Sequence, residues 1–226
     1  MGTPLPGRPP YRSECRVSAA GGSVSRWGEE QRQAARRGVW RRFLAALGLS
    51  PAARRADAHA AACNAGAEGE RRTAALLQPL EAVGWKVLHD RAIPGARSAN
   101  ADHVLVSPGA RVFLVDSKLW SSRYLVHAAG GTLWHGEAGH KPANRSRDLR
   151  SVLYETDLIA RALGVPVQPV IAVHNAPVAG SGFTVREVPV VPTDRLVEVL
   201  RVNDGPPARR EAAALARRAT VVLPSY

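Results

Sequence analysis

The stretch DHVLVSPGARVFLVDSK, residues 102–118, decides the fold that we predict for this chain. Its two apolar runs are separated by Ser107-Pro108-Gly109, a composition typical of a tight turn. Runs rich in Val, Leu and Phe on both sides of such a turn are typical of paired strands. The stretch therefore predicts a hairpin of two antiparallel strands, 102–106 and 111–118.

Charged side chains stand at the end of the second predicted strand. Asp116 and Lys118 are two residues apart, so they point to the same face of a strand, about 6.7 Å from each other. A surface ion pair would explain these two residues alone. The hairpin, however, can set Asp102 near Asp116, and two neighbouring carboxylates repel each other unless a cation lies between them. Oxygen ligands and the lack of usable cysteines favour Mg²⁺ or Mn²⁺.

A third carboxylate precedes the hairpin, on a helix predicted over residues 67–83. At 100° per residue, Glu70 lies on the same stripe as Ala67 and Leu77, whereas Glu68 points away from it. Glu70 is therefore expected to face the sheet. A buried acid neutralised by an arginine or a backbone amide would give the same pattern.

The remaining segments alternate between strand and helix patterns. An apolar run at 167–173 is typical of a strand buried on both faces, and it follows a helix predicted over 146–163. The other predicted elements are a helix over 51–63, a strand over 85–90, a small hairpin formed by 124–126 and 132–135, a helix over 193–200 capped by Thr193, and a helix over 208–219. The order helix, three strands, helix, strand predicts an α/β fold with a central mixed sheet flanked by helices.

Charge and cysteine content narrow the function classes. The chain has 31 basic and 19 acidic residues, a net charge of +12, which favours a polyanionic partner, although an arginine-rich and alanine-rich composition could also reflect a GC-rich genome. Cys15 and Cys63 are too few and too far apart for a disulfide scaffold or a cysteine zinc site, which fits a reducing cytoplasm.

Residues 1–22 lack the apolar segment of a signal peptide. The uncharged run 162–185 is broken by prolines, so we expect no integral membrane segment.

The N-terminal part is predicted to be an extension. Residues 1–25 are expected to be a disordered basic tail, and residues 26–64 a basic helical extension in which Trp40, Phe43, Leu44 and Leu47 form an amphipathic helix. Its polar face carries four candidate nucleic-acid-binding residues: Arg36, Arg37, Arg41 and Arg42. The apolar face could dock on the main domain with the arginines in solvent, or the helix could contact nucleic acid or a membrane surface.

Six short motifs in order resemble those of the nuclease-related domain family, NERD, which is assigned to the PD-(D/E)xK nuclease superfamily. They are Gly66-Ala67-Glu68-Gly69-Glu70, Gly84-Trp85-Lys86-Val87-Leu88-His89-Asp90, Ile93-Pro94-Gly95, Asn100-Ala101-Asp102-His103, Ser107-Pro108-Gly109 and Asp116-Ser117-Lys118-Leu119-Trp120. The resemblance implies a restriction-endonuclease-like core of order α-β-β-β-α-β. We expect this domain to span residues 65–203 and to be followed by a basic helix or tail at 204–226.

The resemblance also implies roles for individual residues. Glu70 would be the helix carboxylate, Asp102 and Asp116 the metal-binding aspartates, and Lys118 the lysine that positions or activates the attacking water. Arg147 or Asn144 would supply a polar contact from the following helix, and Arg147 is a further candidate nucleic-acid-binding residue that would contact phosphate. The expected function is a Mg²⁺-dependent or Mn²⁺-dependent nuclease acting on nucleic acid, with DNA as the first expectation. The alternatives are a weakly active or inactive nucleic-acid-binding module, and a peripheral membrane or scaffold protein.

Other polar and aromatic residues have structural explanations. His103 follows Asp102 and therefore points to the opposite face, which favours packing or a supporting hydrogen bond over metal binding. Trp120, Tyr124 and Trp134 could stack on bases, but aromatic residues around a hairpin are more often core. Glu155 is expected to be structural or solvated.

Overall fold

The computed structural model describes residues 51–96, 99–136 and 142–226. The predicted N-terminal tail and most of the helical extension lie outside these ranges, together with Arg36, Arg37, Arg41 and Arg42. Their proposed role in nucleic-acid binding stays a prediction.

The described chain contains four α-helices and nine β-strands. The helices are α1 (Pro51–Glu81), α2 (Ser146–Leu163), α3 (Thr193–Val202) and α4 (Arg209–Val222). The strands are β1 (Lys86–Ala92), β2 (Asn100–Val106), β3 (Val112–Leu119), β4 (Val126–Ala129), β5 (Thr132–His135), β6 (Ala143–Asn144), β7 (Val167–His174), β8 (Phe183–Val185) and β9 (Val188–Pro192).

Six strands form a central mixed sheet in the order β1-β2-β3-β7-β9-β8. The strands β1, β2 and β3 are antiparallel to one another, whereas β7 is parallel to both β3 and β9. Strands β4, β5 and β6 form a separate small antiparallel sheet. The succession α1, β1 to β3, α2, β7 confirms the predicted α-β-β-β-α-β order and is consistent with a restriction-endonuclease-like core.

Helices cover both faces of this sheet, because successive residues of each strand point to opposite sides. Leu105 and Phe113 pack with Leu77 of α1 on one face. Val104 and Leu114 pack with α2 and α4 on the other. Since Asp116 has the same parity as Leu114, its side chain lies on the face that α2 covers.

The structure differs from the prediction in its helices. The helices predicted over residues 51–63 and 67–83 form one continuous helix, α1. The domain boundary predicted between residues 64 and 65 therefore lies inside this helix. Thr193 does not cap α3, because the cap position is Pro192 and no side chain bonds there. The segment predicted as a C-terminal helix or tail is helix α4, and its Leu215 and Ala219 belong to the buried core.

The uncharged run 162–185 contains the end of α2, strand β7 and the turns that follow it. Within the described ranges, no helix has the length and apolar character needed to cross a membrane. Pro166 and Pro177 lie between these elements, whereas Pro169 lies within β7.

Candidate active site

Asp102 and Asp116 lie on neighbouring strands at the same level of the sheet. The antiparallel register pairs His103 with Val115, which places Asp102 opposite Asp116. Asp102 Oδ2 accepts a hydrogen bond of 2.8 Å from the backbone N–H of Ser117. This bond continues the β2 to β3 pairing through a side chain and fixes the orientation of the Asp102 carboxylate.

Asp116 and Lys118 form the ion pair expected from their spacing. Lys118 Nζ donates to Asp116 Oδ1 at 2.8 Å. The side chain of Asp116 is 8% exposed and that of Lys118 is 22% exposed. The second carboxylate oxygen of Asp116, Oδ2, is buried and accepts no hydrogen bond from the part of the chain that the structure describes. One oxygen of this carboxylate therefore makes no hydrogen bond within the described residues.

The electrostatics of this site reflect an excess of carboxylates. Burial raises the pKa of Asp102 to about 7, and the neighbouring charge of Asp116 adds to the effect. Burial also raises the pKa of Asp116, although Lys118 opposes it. Burial alone would lower the pKa of Lys118, but the carboxylates of Asp116, Asp102 and Asp148 together raise it. The Lys118 ammonium is therefore charged at neutral pH.

Helix α2 adds two acidic residues that sequence reasoning missed. Asp148 Oδ1 lies 4.0 Å from Lys118 Nζ. Burial raises the pKa of Glu155 to about 8, with further contributions from Asp116 and Asp102. Glu155 is half-buried, so it is not a fully solvated acid, and its burial agrees with the expected structural role. One stripe of α2 consists of Asp148, Val152, Glu155 and Ile159. Two acids on this otherwise apolar stripe could have indicated from the sequence that both side chains face the sheet.

Glu70 is buried, 4% exposed, and lies on the stripe of α1 that faces the sheet. Its neighbour Gly69 lets α1 approach the end of β3, because a Cβ at that position would lie 3.3 Å from Leu119 Cβ. One turn later, Thr73 Oγ1 accepts a 2.9 Å hydrogen bond from the Ser117 hydroxyl. Ser117 points to the face opposite Asp116, so α1 brings Glu70 to the end of β3 from the other side of the sheet.

The structure thus brings Asp102, Asp116 and Lys118 together on the α2 face, and Glu70 approaches from the α1 face. Within the described residues, no group of three His, Cys, Asp or Glu side chains is arranged to hold one metal ion. The donor set still fits Mg²⁺ or Mn²⁺, because these ions take one or two carboxylates and complete their shell with water and substrate phosphate. The Oδ2 of Asp116, which accepts no hydrogen bond from the described residues, is consistent with such a cation.

His103 lies on the opposite face, as expected, and is fully buried. Its Nδ1 is 2.8 Å from Nδ1 of His89, and the two rings meet edge to face. Burial lowers the pKa of His103 well below its ordinary value, so it is neutral at physiological pH. His103 therefore packs beneath α1 and does not belong to the aspartate cluster.

A cluster of aromatic rings borders the site where β3 ends. Trp120 is 8% exposed and stacks on His135, with ring centroids 5.4 Å apart. Tyr124 meets His135 edge to face. Arg145 covers the Trp120 ring, and the candidate phosphate-binding residue Arg147 is exposed in the first turn of α2. The core prediction is confirmed for Trp120, whereas Tyr124 is 36% exposed.

Part of the chain matches a known protein family. Residues 65–174 match the model of a family described as the nuclease-related domain, NERD. This segment runs from α1 to the end of β7 and contains every element of the site. The comparisons with curated proteins and with solved structures gave no significant match. The family indicates a nuclease-related function.

Proposed function

Since residues 65–174 belong to the nuclease-related domain family, we propose that this protein is a divalent-metal-dependent nuclease that hydrolyses phosphodiester bonds in nucleic acid, with DNA as its first expected substrate. The observation that carries the proposal is the meeting of Asp102, Asp116 and Lys118 at one end of β3. Two carboxylates, of which that of Asp116 is buried and that of Asp102 half-buried, and an ammonium group are a set of side chains suited to phosphoryl chemistry.

Asp102 and Asp116 would hold the metal, and Asp148 and Glu155 of α2 are further carboxylates near Lys118 and the two aspartates. When bound, Mg²⁺ or Mn²⁺ supplies Lewis-acid polarisation of the phosphodiester and lowers the pKa of a neighbouring water. The Ser117 N–H restrains Asp102 through its 2.8 Å bond, so one of the two carboxylates is oriented before any ligand binds.

Lys118 acts through its charge. Because the neighbouring carboxylates raise its pKa, Lys118 stays protonated in the metal-free protein and presents a positive charge at the site. Its ion pair with Asp116 holds it at the site, where it stabilises the negative charge that develops on the phosphate. It would also orient the attacking water.

A nucleic-acid-binding module without cleavage is the second candidate. The arrangement that favours it is the approach of Glu70 from the opposite face, together with the lack of a three-residue ligand group within the described residues. The peripheral membrane alternative depends on the segment Trp40 to Leu47, which lies outside the described part of the chain.

A cleavage assay with single-stranded, duplex and branched DNA and RNA, in Mg²⁺, Mn²⁺ or EDTA, tests the proposal. The wild type should cut in metal and not in EDTA, and Asp116→Ala should abolish cutting because it removes a metal ligand. Asp157→Ala is the matched control, since Asp157 is a 65% exposed acid on α2 paired with Arg161.

Binding measured in EDTA separates the two candidates. Asp116→Ala should bind nucleic acid at least as well as the wild type, because a negative charge near the phosphates has gone. If the wild type binds but cuts no substrate with either metal, the chain is a binding module. If Asp116→Ala loses binding and thermal stability together while the wild type never cuts, Asp116 and Lys118 are only a structural ion pair.

A further inference from the structure

We propose that Arg145 is a substrate-binding residue whose guanidinium binds a backbone phosphate adjacent to the scissile one. The proposal rests on the nucleic-acid substrate proposed above and adds a phosphate subsite to it. Arg145 is the residue immediately before α2. It lies between the aspartate cluster and the aromatic cluster of Trp120, Tyr124 and His135.

The backbone of Arg145 is fixed at both ends. Its N–H donates to the carbonyl of Leu133 in β5 at 2.8 Å, and its own carbonyl accepts the bond that begins α2, from Leu149 at 3.2 Å. Both Leu133 and Leu149 are buried. The side chain therefore starts from a rigid junction between the small sheet and the helix.

The guanidinium is held in place by a ring and by a charge. Its central carbon lies 5.0 Å from the centroid of the Trp120 ring, within the range of a cation–π contact. One terminal nitrogen lies 4.0 Å from Asp148 Oδ2, and the other lies 3.5 Å from His135 Nδ1. Trp120 itself is supported by its stack on His135. The plane of the cation is thus oriented before a substrate arrives.

The hydrogen-bonding capacity of Arg145 is largely unused. Its contacts at 4.0 and 3.5 Å are longer than the 2.7–3.2 Å usual for N–H donors. Its Nε is buried and donates to no acceptor in the described residues. About a third of the side chain, 32%, is exposed. An oriented guanidinium with spare donors and an open side is suited to a phosphate, which can accept two parallel hydrogen bonds.

The position of Arg145 relative to Lys118 indicates which phosphate it binds. Asp148 lies 4.0 Å from each of the two cations, so it stands between them. If the scissile phosphate of a nucleic-acid strand binds at Lys118, a neighbouring phosphate of the same strand lies at Arg145. This cation also offsets the repulsion that Asp148 and Glu155 would exert on that strand.

The test measures binding and cleavage separately in the full-length protein. Binding of a short fluorescent single-stranded DNA is followed by anisotropy in EDTA over a salt series, with Asp116→Ala, Arg145→Gln, Arg145→Lys and Arg161→Gln. Arg161 is the matched control, a 63% exposed arginine on α2 that is paired with Asp157. Thermal unfolding of each variant is recorded in parallel.

Arg145→Gln should weaken binding about tenfold and reduce the salt slope by about one phosphate contact. Arg145→Lys keeps a positively charged side chain over Trp120 but loses the planar guanidinium that can form two parallel hydrogen bonds. Its melting temperature should therefore equal that of the wild type, while its affinity for nucleic acid should be about threefold lower. Arg161→Gln should bind within about twofold of the wild type. In a cleaving enzyme, both Arg145 variants should raise KM more than they lower kcat.

The proposal is overturned if Arg145→Lys and Arg145→Gln bind like Arg161→Gln, because Arg145 then only covers Trp120. It is also overturned if the wild type binds no nucleic acid. A wild type that binds through Arg145 but never cuts would refute the nuclease proposal and leave the phosphate subsite intact.

Discussion

The hydroxyl of Ser117 donates a hydrogen bond of 2.9 Å to the hydroxyl of Thr73, joining the strand that carries Asp116 and Lys118 to the helix that carries Glu70. Thr73 in turn lies 2.8 Å from Nε2 of His174 at the end of β7. Since the Thr73 oxygen accepts from Ser117, its own proton is free to donate to an unprotonated Nε2. Burial lowers the pKa of His174, in keeping with a neutral ring.

Thr73→Val should therefore destabilise the protein. It keeps the shape of the side chain but leaves the Ser117 hydroxyl and the His174 ring buried without this partner, at a cost of about 1–3 kcal/mol. Urea unfolding measures the effect. The control is Thr220→Val, because Thr220 is exposed and its hydroxyl donates to the carbonyl of Ala216 in its own helix. Equal stability of the two variants would mean that the Ser117 to Thr73 contact adds nothing.

The stability of the metal-free protein should depend on the buried carboxylates. The pKa of Glu155 is raised from 4.5 to about 8, so the folded state binds its proton more tightly than the unfolded state. This contribution is complete below about pH 4 and is lost as the pH rises through the folded pKa of about 8. In EDTA, the melting temperature of the wild type should fall relative to that of Glu155→Gln as the pH is raised from about 4 to about 8.5, which covers this window.

Mg²⁺ should oppose the loss of melting temperature at high pH, because a cation at Asp102 and Asp116 competes with protons for the carboxylates. The increase in melting temperature on adding Mg²⁺ should be larger at about pH 8 than at about pH 5.5, and it should disappear in Asp116→Ala. A difference between wild type and Glu155→Gln that stays constant with pH would show that Glu155 is ionised and solvated. A Mg²⁺ effect that persists in Asp116→Ala would place the ion elsewhere.

The core of the fold could be predicted because its signals are local. The turn at Ser107-Pro108-Gly109 and the apolar run of β7 each identify an element without any knowledge of its neighbours. Strand β9 was missed because its sequence, VPVVP, contains two prolines, which are unusual inside a sheet. Only the neighbouring strands β7 and β8 show that this segment is paired.

The site was predictable where the chain itself sets the geometry. The ion pair of Asp116 and Lys118 follows from the two-residue period of a strand, and the position of Asp102 follows from the hairpin. Asp148, Glu155 and Arg145 were missed as site residues, because their positions depend on how α2 crosses the sheet. The direction from which Glu70 approaches likewise depends on which face α1 covers, which periodicity alone does not reveal.

Substitution of Lys118 tests whether its charge is what matters. Lys118→Gln should lower kcat by about a hundredfold or more, because it removes a cation from the phosphate. Lys118→Arg keeps the charge and should retain part of the activity, although the planar guanidinium group fits poorly in the space that an ammonium group occupies. The pH profile of kcat measures both. If Lys118→Gln cuts as fast as Lys118→Arg, the charge is not used in the reaction.

The N-terminal extension carries half of the chain's net positive charge. Residues 1–50 contain nine arginines and three acidic residues, a net +6 of the chain's +12. A truncated protein should begin at Pro51, because α1 begins there and a later start would shorten the helix that carries Glu70. Deletion should weaken nucleic-acid binding and flatten its salt dependence, since fewer phosphates are neutralised. Cleavage by the remaining domain should keep its dependence on metal and on Asp116. If the truncated and full-length proteins bind with the same affinity and salt slope, Arg36, Arg37, Arg41 and Arg42 do not contact nucleic acid and their abundance reflects composition alone.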